Sequence, residues 1–142
     1  MAMVDWQFQG CCEDDLSIVL QWFTDHSFYF ETTTPHLLSE PEIAALLARP
    51  DVFMVRHRGH PVGLLSFQKM APYIGTVSMT VRLCADAPFE LWCDALRILP
   101  AVVWEQEDFW RLQVTCTEFD EVLQRACLEA GYADEGTLYH LY

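Results

Sequence analysis

Residues 52–67 read VFMVRHRGHPVGLLSF. The run 52–58 (VFMVRHR) is rich in β-branched and apolar residues and reads as a strand. Gly59-His60 supplies a tight turn, and 61–68 (PVGLLSFQ) returns as the antiparallel partner. The hairpin is the first fixed point in the chain.

Working outward from it, residues 4–9 (VDWQFQ) alternate apolar and polar and read as a first strand. Glu13, Asp14 and Asp15 suit the start of a helix, where carboxylates meet the positive end of the dipole. Leu16, Val19, Leu20 and Phe23 then share one helical face, and the pattern weakens at Thr24-Asp25-His26. FYFETTTPHL follows and reads as a loop over the core. Ser39 is placed to cap the next helix, with Pro41 and Glu42 in its first turn and Leu46 and Leu47 on its inner face; it stops near Arg49-Pro50.

After the hairpin, residues 74–83 read as a third strand of the same sheet. A helix is expected from 89 to 106, with Pro100 kinking or splitting it. Residues 111–116 (RLQVTC) read as a strand. Residues 120–130 form an amphipathic helix that Gly131 ends in the position after the cap, and 136–142 (GTLYHLY) read as a last strand. The order is β-α-α-β-β-β-α-β-α-β. It predicts an α/β (α+β) fold in one domain, 1–142: a mixed, mostly antiparallel sheet with helices on both faces.

Composition limits the partners. The 142 residues carry 21 acidic and 8 basic side chains, a net charge of −13. Nucleic acid and anionic membrane surfaces would both be repelled. A cationic small molecule or a basic protein face would be drawn in. No apolar run approaches the roughly 20 residues that cross a bilayer, and MAMVDWQFQG has neither the basic nor the apolar stretch of an export signal. The six cysteines are therefore expected to be reduced thiols of a cytoplasmic protein, with no metal-ligand spacing among them. With 13% aromatic residues, a homodimer is a further arrangement to consider.

Three segments in this order resemble the GNAT superfamily of N-acetyltransferases, nearest the branch that acetylates ribosomal-protein N-termini. The hairpin resembles the family's G-x-x-V-G hairpin, here Gly59 to Gly63. WEQEDFWRLQV resembles the end of its third helix entering the fifth strand. LQRACLEAGYADEGTLYHL resembles its closing segment, with Gly131-Tyr132 and Glu135-Gly136 at the paired positions. The resemblance spans nearly the whole chain. It implies acetyl transfer from acetyl-CoA to an amine, either a small molecule or a basic protein N-terminus. It also implies a sheet that splays apart between the strand ending near residue 83 and the strand from Arg111, with the main chain of Thr80, Val81, Arg82 and Leu83 meeting the pantetheine arm, and no metal.

The sequence departs from the family where the coenzyme's pyrophosphate is cradled. That turn is rich in glycine in the family; here it reads Asp86-Ala87-Pro88-Phe89-Glu90. Two carboxylates would meet the anion, and Pro88 removes a donor. The expectation is that this turn does not cradle a pyrophosphate, that acetyl-CoA binds weakly, and that Asp86 caps the helix instead. The family's asparagine and its proton-donating tyrosine are replaced by Asp120 and Cys127. The thiol of Cys127 is then the candidate acid, or a small apolar residue of the helix. Glu31 and His36, in the loop over the sheet, are the candidate bases, against a plain reading as a solvated carboxylate and a capping imidazole. His57 and His60 flank the hairpin tip and are expected to be exposed; His26 and His140 have no evident partner. Two readings follow: an acyl-CoA-dependent N-acyltransferase with a degenerate coenzyme loop, or a catalytically inactive binding or regulatory module on the same fold.

Overall fold

A computed structural model describes residues 5–25, 28–31, 38–69, 75–116 and 120–134. The elements in chain order are β1 (Trp6–Gly10), a single 3-10 turn (Glu13–Asp15), α1 (Leu16–Phe23), α2 (Glu40–Leu47), β2 (Val52–His57), β3 (His60–Lys69), β4 (Thr76–Leu83), α3 (Phe89–Gln106), β5 (Arg111–Val114) and α4 (Glu121–Glu129). The expected last strand, 136–142, lies outside the described residues, as do His26, His36 and His140.

The five strands form one sheet in the order β1-β2-β3-β4-β5. Neighbours are antiparallel except β4 and β5, which are parallel. Val55, Leu65, Val81 and Leu83 belong to a buried cluster with Leu96 and Leu99 of α3 and Leu123 of α4. Met54 and Leu64 belong to a second cluster with Val19 of α1 and Ile43 of α2. Helices therefore cover both faces. Among the described residues no helix is long and apolar enough to cross a membrane.

The hairpin turns one residue earlier than its sequence suggests. Arg58 (φ 52°) and Gly59 (φ 83°) are the two left-handed corner residues, and His57 faces His60. Positive φ at both corners is the mirror-image turn that matches strand twist, and Gly59 adopts it without steric penalty. His60 is exposed as expected, but His57 is not: its ring packs 4.6 Å from that of Trp6. Past the turn the register shifts, because Val55 faces Gly63 while Arg56 faces Pro61. Gly63 lets β3 and β4 come close. A Cβ there would sit 2.4 Å from the Arg82 carbonyl oxygen.

Ser39 caps α2 reciprocally: its Oγ accepts from the Glu42 N–H, and its own N–H donates to Glu42 Oε1 at 2.9 Å. Pro100 does not split α3, which runs unbroken over 18 residues. A proline leaves the carbonyl four residues before it without an intrahelical donor, here that of Leu96. The hydroxyl of Tyr132 donates to it at 2.9 Å. Tyr132 reaches it because α4 ends in a Schellman motif: Gly131 (φ 101°) donates to Leu128 and Tyr132 N–H to the Cys127 carbonyl.

Candidate functional site

β4 and β5 part company halfway along β4. Their register runs from Thr76 opposite Arg111 to Met79 opposite Val114 and stops there. β4 continues through Thr80, Val81, Arg82 and Leu83, held on its other side by β3. Main-chain groups alternate sides along a strand. Cys84 N–H donates to the Val62 carbonyl of β3 at 2.8 Å. By that alternation Arg82 and Thr80 also bond to β3, and the N–H and C=O of Val81 and Leu83 face the opening. Of the four residues expected at a cofactor arm, two offer main-chain groups to the gap.

The side chain of Arg82 is buried and pairs with the carboxylate of Asp120, also buried, at the head of α4. Its guanidinium lies 4.1 Å from the centre of the Tyr29 ring and 5.1 Å from that of Trp92 on α3. Tyr29 donates its hydroxyl to Asp120 Oδ2, and Asp120 Oδ1 accepts from the Leu123 N–H at 3.2 Å, which caps α4. The pair thus ties β4 to α4 across the far side of the opening. One atom is left over: Arg82 Nε is buried without an acceptor among the described residues.

At the mouth of the gap, α3 starts without a side-chain cap. Its N-cap is Pro88, which has no acceptor to offer. Leu91 and Trp92 donate to the Pro88 carbonyl, so the N–H groups of Phe89 and Glu90 precede the first helical bonds. The expected capping role of Asp86 is not seen. Its carboxylate interacts with the thiol of Cys84 instead; burial first, and then this carboxylate, push that thiol from its ordinary 9.0 to about 12. The side chains of Asp86 and Glu90 are both exposed. Water screens them, which weakens the repulsion expected between this turn and a pyrophosphate.

Glu31 stands at a left-handed corner (φ 62°), a strained conformation for a residue with a Cβ. Its carboxylate accepts from Ser66 Oγ of β3 at 2.8 Å and from both terminal nitrogens of Arg49, which also binds Asp51. The Arg49 guanidinium holds Asp51 below the usual carboxylate range. Cys127 is buried on α4, and Cys116, just beyond β5, packs against the same apolar cluster. That contact and burial raise the Cys127 thiol far above its ordinary value, whereas the same contact lowers that of Cys116, helped by the nearby Arg82 charge. All six cysteines are free thiols, as expected from the sequence.

The structure brings Arg82, Asp120, Trp92 and Tyr29 together, with Cys116 and Cys127 in the same neighbourhood. Glu31 belongs to a separate ionic network with Arg49, Asp51 and Ser66. Sequence reasoning missed Tyr29, Trp92, Cys116 and the side chain of Arg82. The one signal for Arg82 was a lone base in an otherwise apolar strand, VSMTVRL. Among the described residues no group of His, Cys, Asp and Glu is arranged to hold a metal ion.

No family model and no curated protein matches the chain. Solved structures do. A GNAT-family acetyltransferase from Bacillus anthracis superposes with a TM-score of 0.78 over 93% of this chain and 82% of its own, at 14% identity. Aminoglycoside acetyltransferase AAC(6')-Ib, in complex with coenzyme A and kanamycin, gives 0.73 over 94% and 87%, at 15% identity. The Salmonella typhimurium enzyme that modifies the N-terminal serine of ribosomal protein L7/L12 gives 0.72 over 93% and 83%, at 12% identity. The fold is that of the GNAT acetyltransferases, as the sequence resemblance implied.

Proposed function

We propose that this chain is an acyl-CoA-dependent N-acyltransferase that moves an acetyl group to an amine, with the acyl donor in the gap between β4 and β5. The observation that carries this reading is the early end of the β4–β5 ladder at Met79. It leaves main-chain groups of Val81 and Leu83 facing the opening, where an extended, amide-bearing arm can complete the strand. The uncapped N–H groups of Phe89 and Glu90 at the head of an 18-residue helix are suited to an anion. Together these fit a pantetheine arm with a pyrophosphate at its end. Structures of the same fold have been solved with coenzyme A bound.

When bound, the donor supplies an activated carbonyl. The chain's own residues do the rest: β4 aligns the donor, and Trp92, Tyr29 and the Arg82–Asp120 pair exclude water from one end of the gap. For the acceptor, the net charge of −13 favours a cation. A small-molecule amine or a basic protein N-terminus meets that requirement; of the neighbours named above, one is an aminoglycoside acetyltransferase in complex with kanamycin and another modifies the N-terminal serine of a ribosomal protein. Glu31, fixed by Arg49 and Ser66, is assigned to the acceptor wall, where a fixed carboxylate attracts an ammonium group. His36, five positions on in the sequence, is a second candidate base. Cys127, whose thiol is already engaged, is assigned to holding Cys116 rather than to protonating a leaving group.

A second reading, a binding module of the same fold that does not take coenzyme A, is favoured by Asp86 and Glu90 at the mouth of α3. The two readings separate in one assay. Isothermal titration with acetyl-CoA is expected to give saturable one-to-one binding tighter than about 1 mM, and a panel of polyamines, aminoglycosides and basic peptides should yield an acetylated product. Absence of any heat up to millimolar donor supports the binding module.

A further inference from the structure

The guanidinium of Arg82 lies where the sheet is open. Arg82 faces Leu64 across the β3–β4 ladder. Residues paired across a ladder share a face, so the Arg82 side chain leaves β4 on the Leu64 face, which α1 and α2 cover. Its neighbours Val81 and Leu83 point to the other face, which α3 and α4 cover. Yet the guanidinium meets groups from both sides. The ring centre of Tyr29, a residue set between Phe28 and Phe30 of the first cluster, is 4.1 Å away; that of Trp92, in the second cluster, is 5.1 Å away; and its ionic partner Asp120 heads α4. A side chain passes from one face of a sheet to the other at an unpaired strand edge. β4 has such an edge here, because its ladder with β5 ends at Met79. The guanidinium is therefore beside the outward main-chain groups of Val81 and Leu83, where the acyl donor is proposed to lie.

The hydrogen bonding of this group is incomplete. Nη2 donates to Asp120 Oδ2. Nε has no acceptor among the described residues, although Arg82 is only 8% exposed. A buried N–H left without a partner is costly and calls for one. Asp120 already balances the charge. What Nε lacks is an acceptor and not a counter-ion, and a neutral carbonyl oxygen meets that need. On an extended donor arm, each amide carries both an N–H and a C=O and can pair with the main chain of β4. The thioester carbonyl has no N–H and cannot continue a ladder. It is the carbonyl of the arm that a side-chain donor must serve, and the Tyr29 and Trp92 rings shield such a bond from water. We infer that Arg82 Nε–H donates a hydrogen bond to the thioester carbonyl oxygen of the acyl donor, so that Arg82 selects a donor bearing an acyl carbonyl and fixes its position in the gap. This rests on the acyl-donor reading above.

The test uses the full chain labelled with nitrogen-15, without acceptor. The control ligand is S-ethyl-coenzyme A, a thioether with the same arm and no acyl carbonyl. The Arg82 Nε–H signal should move downfield at saturating acetyl-CoA and stay close to its free position with the thioether. By calorimetry the parent should bind acetyl-CoA about tenfold more tightly than the thioether. Arg82→Lys keeps a cation for Asp120 but has no Nε, and should bring that ratio close to one. The spectral measurement needs no variant, so it decides the matter even where Arg82→Lys does not fold. An Nε signal that stays in place at saturating acetyl-CoA, or moves equally with the thioether, overturns the inference and leaves the acyltransferase reading standing; so does a ratio that Arg82→Lys leaves unchanged. No binding of either compound overturns both.

Discussion

Arg82 on β4 and Asp120 at the head of α4 form a buried salt bridge that spans the side of the sheet where β4 and β5 separate. Each partner is costly alone. A buried charge that loses its counter-ion typically destabilises a protein by about 3–5 kcal/mol. Asp120→Ala also removes the α4 cap and the acceptor for Tyr29. It should lower unfolding free energy by at least about 3 kcal/mol, read from urea midpoints. Asp120→Asn keeps the cap and should lose clearly less. Equal losses for the two would mean that the cap and the Tyr29 hydrogen bond contribute little beside the charge pair.

Tyr132 and Pro100 should be energetically coupled through the Leu96 carbonyl. With Pro100 present, Tyr132→Phe leaves that carbonyl unpaired and should cost about 1–2 kcal/mol. In a Pro100→Ala background the residue-100 N–H can bond Leu96, and the same Tyr132→Phe change should cost close to nothing. A double-mutant cycle by thermal or urea denaturation measures this directly. A coupling indistinguishable from zero would show that the helix tolerates its proline by some other means.

Alkaline pH should destabilise the fold through Cys84. Its thiol ionises near 9.0 when unfolded but near 12 when folded. Between those values the folded state holds a proton that the unfolded state has released, so stability falls as pH rises across that window and is fully present below it. Cys11, pushed to about 11 mainly by burial, acts in the same direction. Melting temperature should drop from pH 8.5 to pH 11, and Cys84→Ala should flatten the slope. An unchanged slope would remove Cys84 as the cause.

Gly63 sets the spacing of β3 and β4 next to the gap. A Cβ there would lie 2.4 Å from the Arg82 carbonyl oxygen and 2.9 Å from the Leu83 Cα, both rigid backbone atoms. Gly63→Ala should therefore destabilise by about 1–3 kcal/mol and weaken donor binding more than Gly59→Ala, whose position has open space around it. Comparable donor affinity in both variants would detach the gap from the site.

The carboxylates at the mouth of α3 should weaken the donor without excluding it. Both are exposed, so each repels a phosphate by about 1 kcal/mol or less at a distance near 5 Å in water. Asp86→Asn with Glu90→Gln should tighten acetyl-CoA binding about tenfold, with a smaller gain at high salt. No gain at low salt would mean that the pyrophosphate lies elsewhere.

Much of the fold was legible because its signals are local. Gly59 and Gly63 mark a turn and a close approach, Ser39 with Glu42 marks a cap, and Gly131 marks a helix end. The heart of the site was not legible, because its contacts are remote. Tyr29 meets Asp120 across 91 positions, and Arg82 meets it across 38. Periodicity does not encode such meetings. The unbroken course of α3 through Pro100 was hidden for the same reason: the freed Leu96 carbonyl is satisfied by a hydroxyl 36 positions from it. Asp86 was misjudged more locally, since Cys84 competes for its carboxylate within the same turn.

The central claim is that an acyl donor completes the strand edge left open beyond Met79. Amide-resolved NMR during an acetyl-CoA titration tests it most directly. The amide signals of Val81 and Leu83 should shift, saturate at one equivalent and gain protection against hydrogen exchange, with Phe89 and Glu90 moving in parallel. The amides of Thr80 and Arg82, already bonded to β3, should change far less. If Val81 and Leu83 stay unmoved at saturating donor, or only residues remote from the gap respond, the site is not where the strands part.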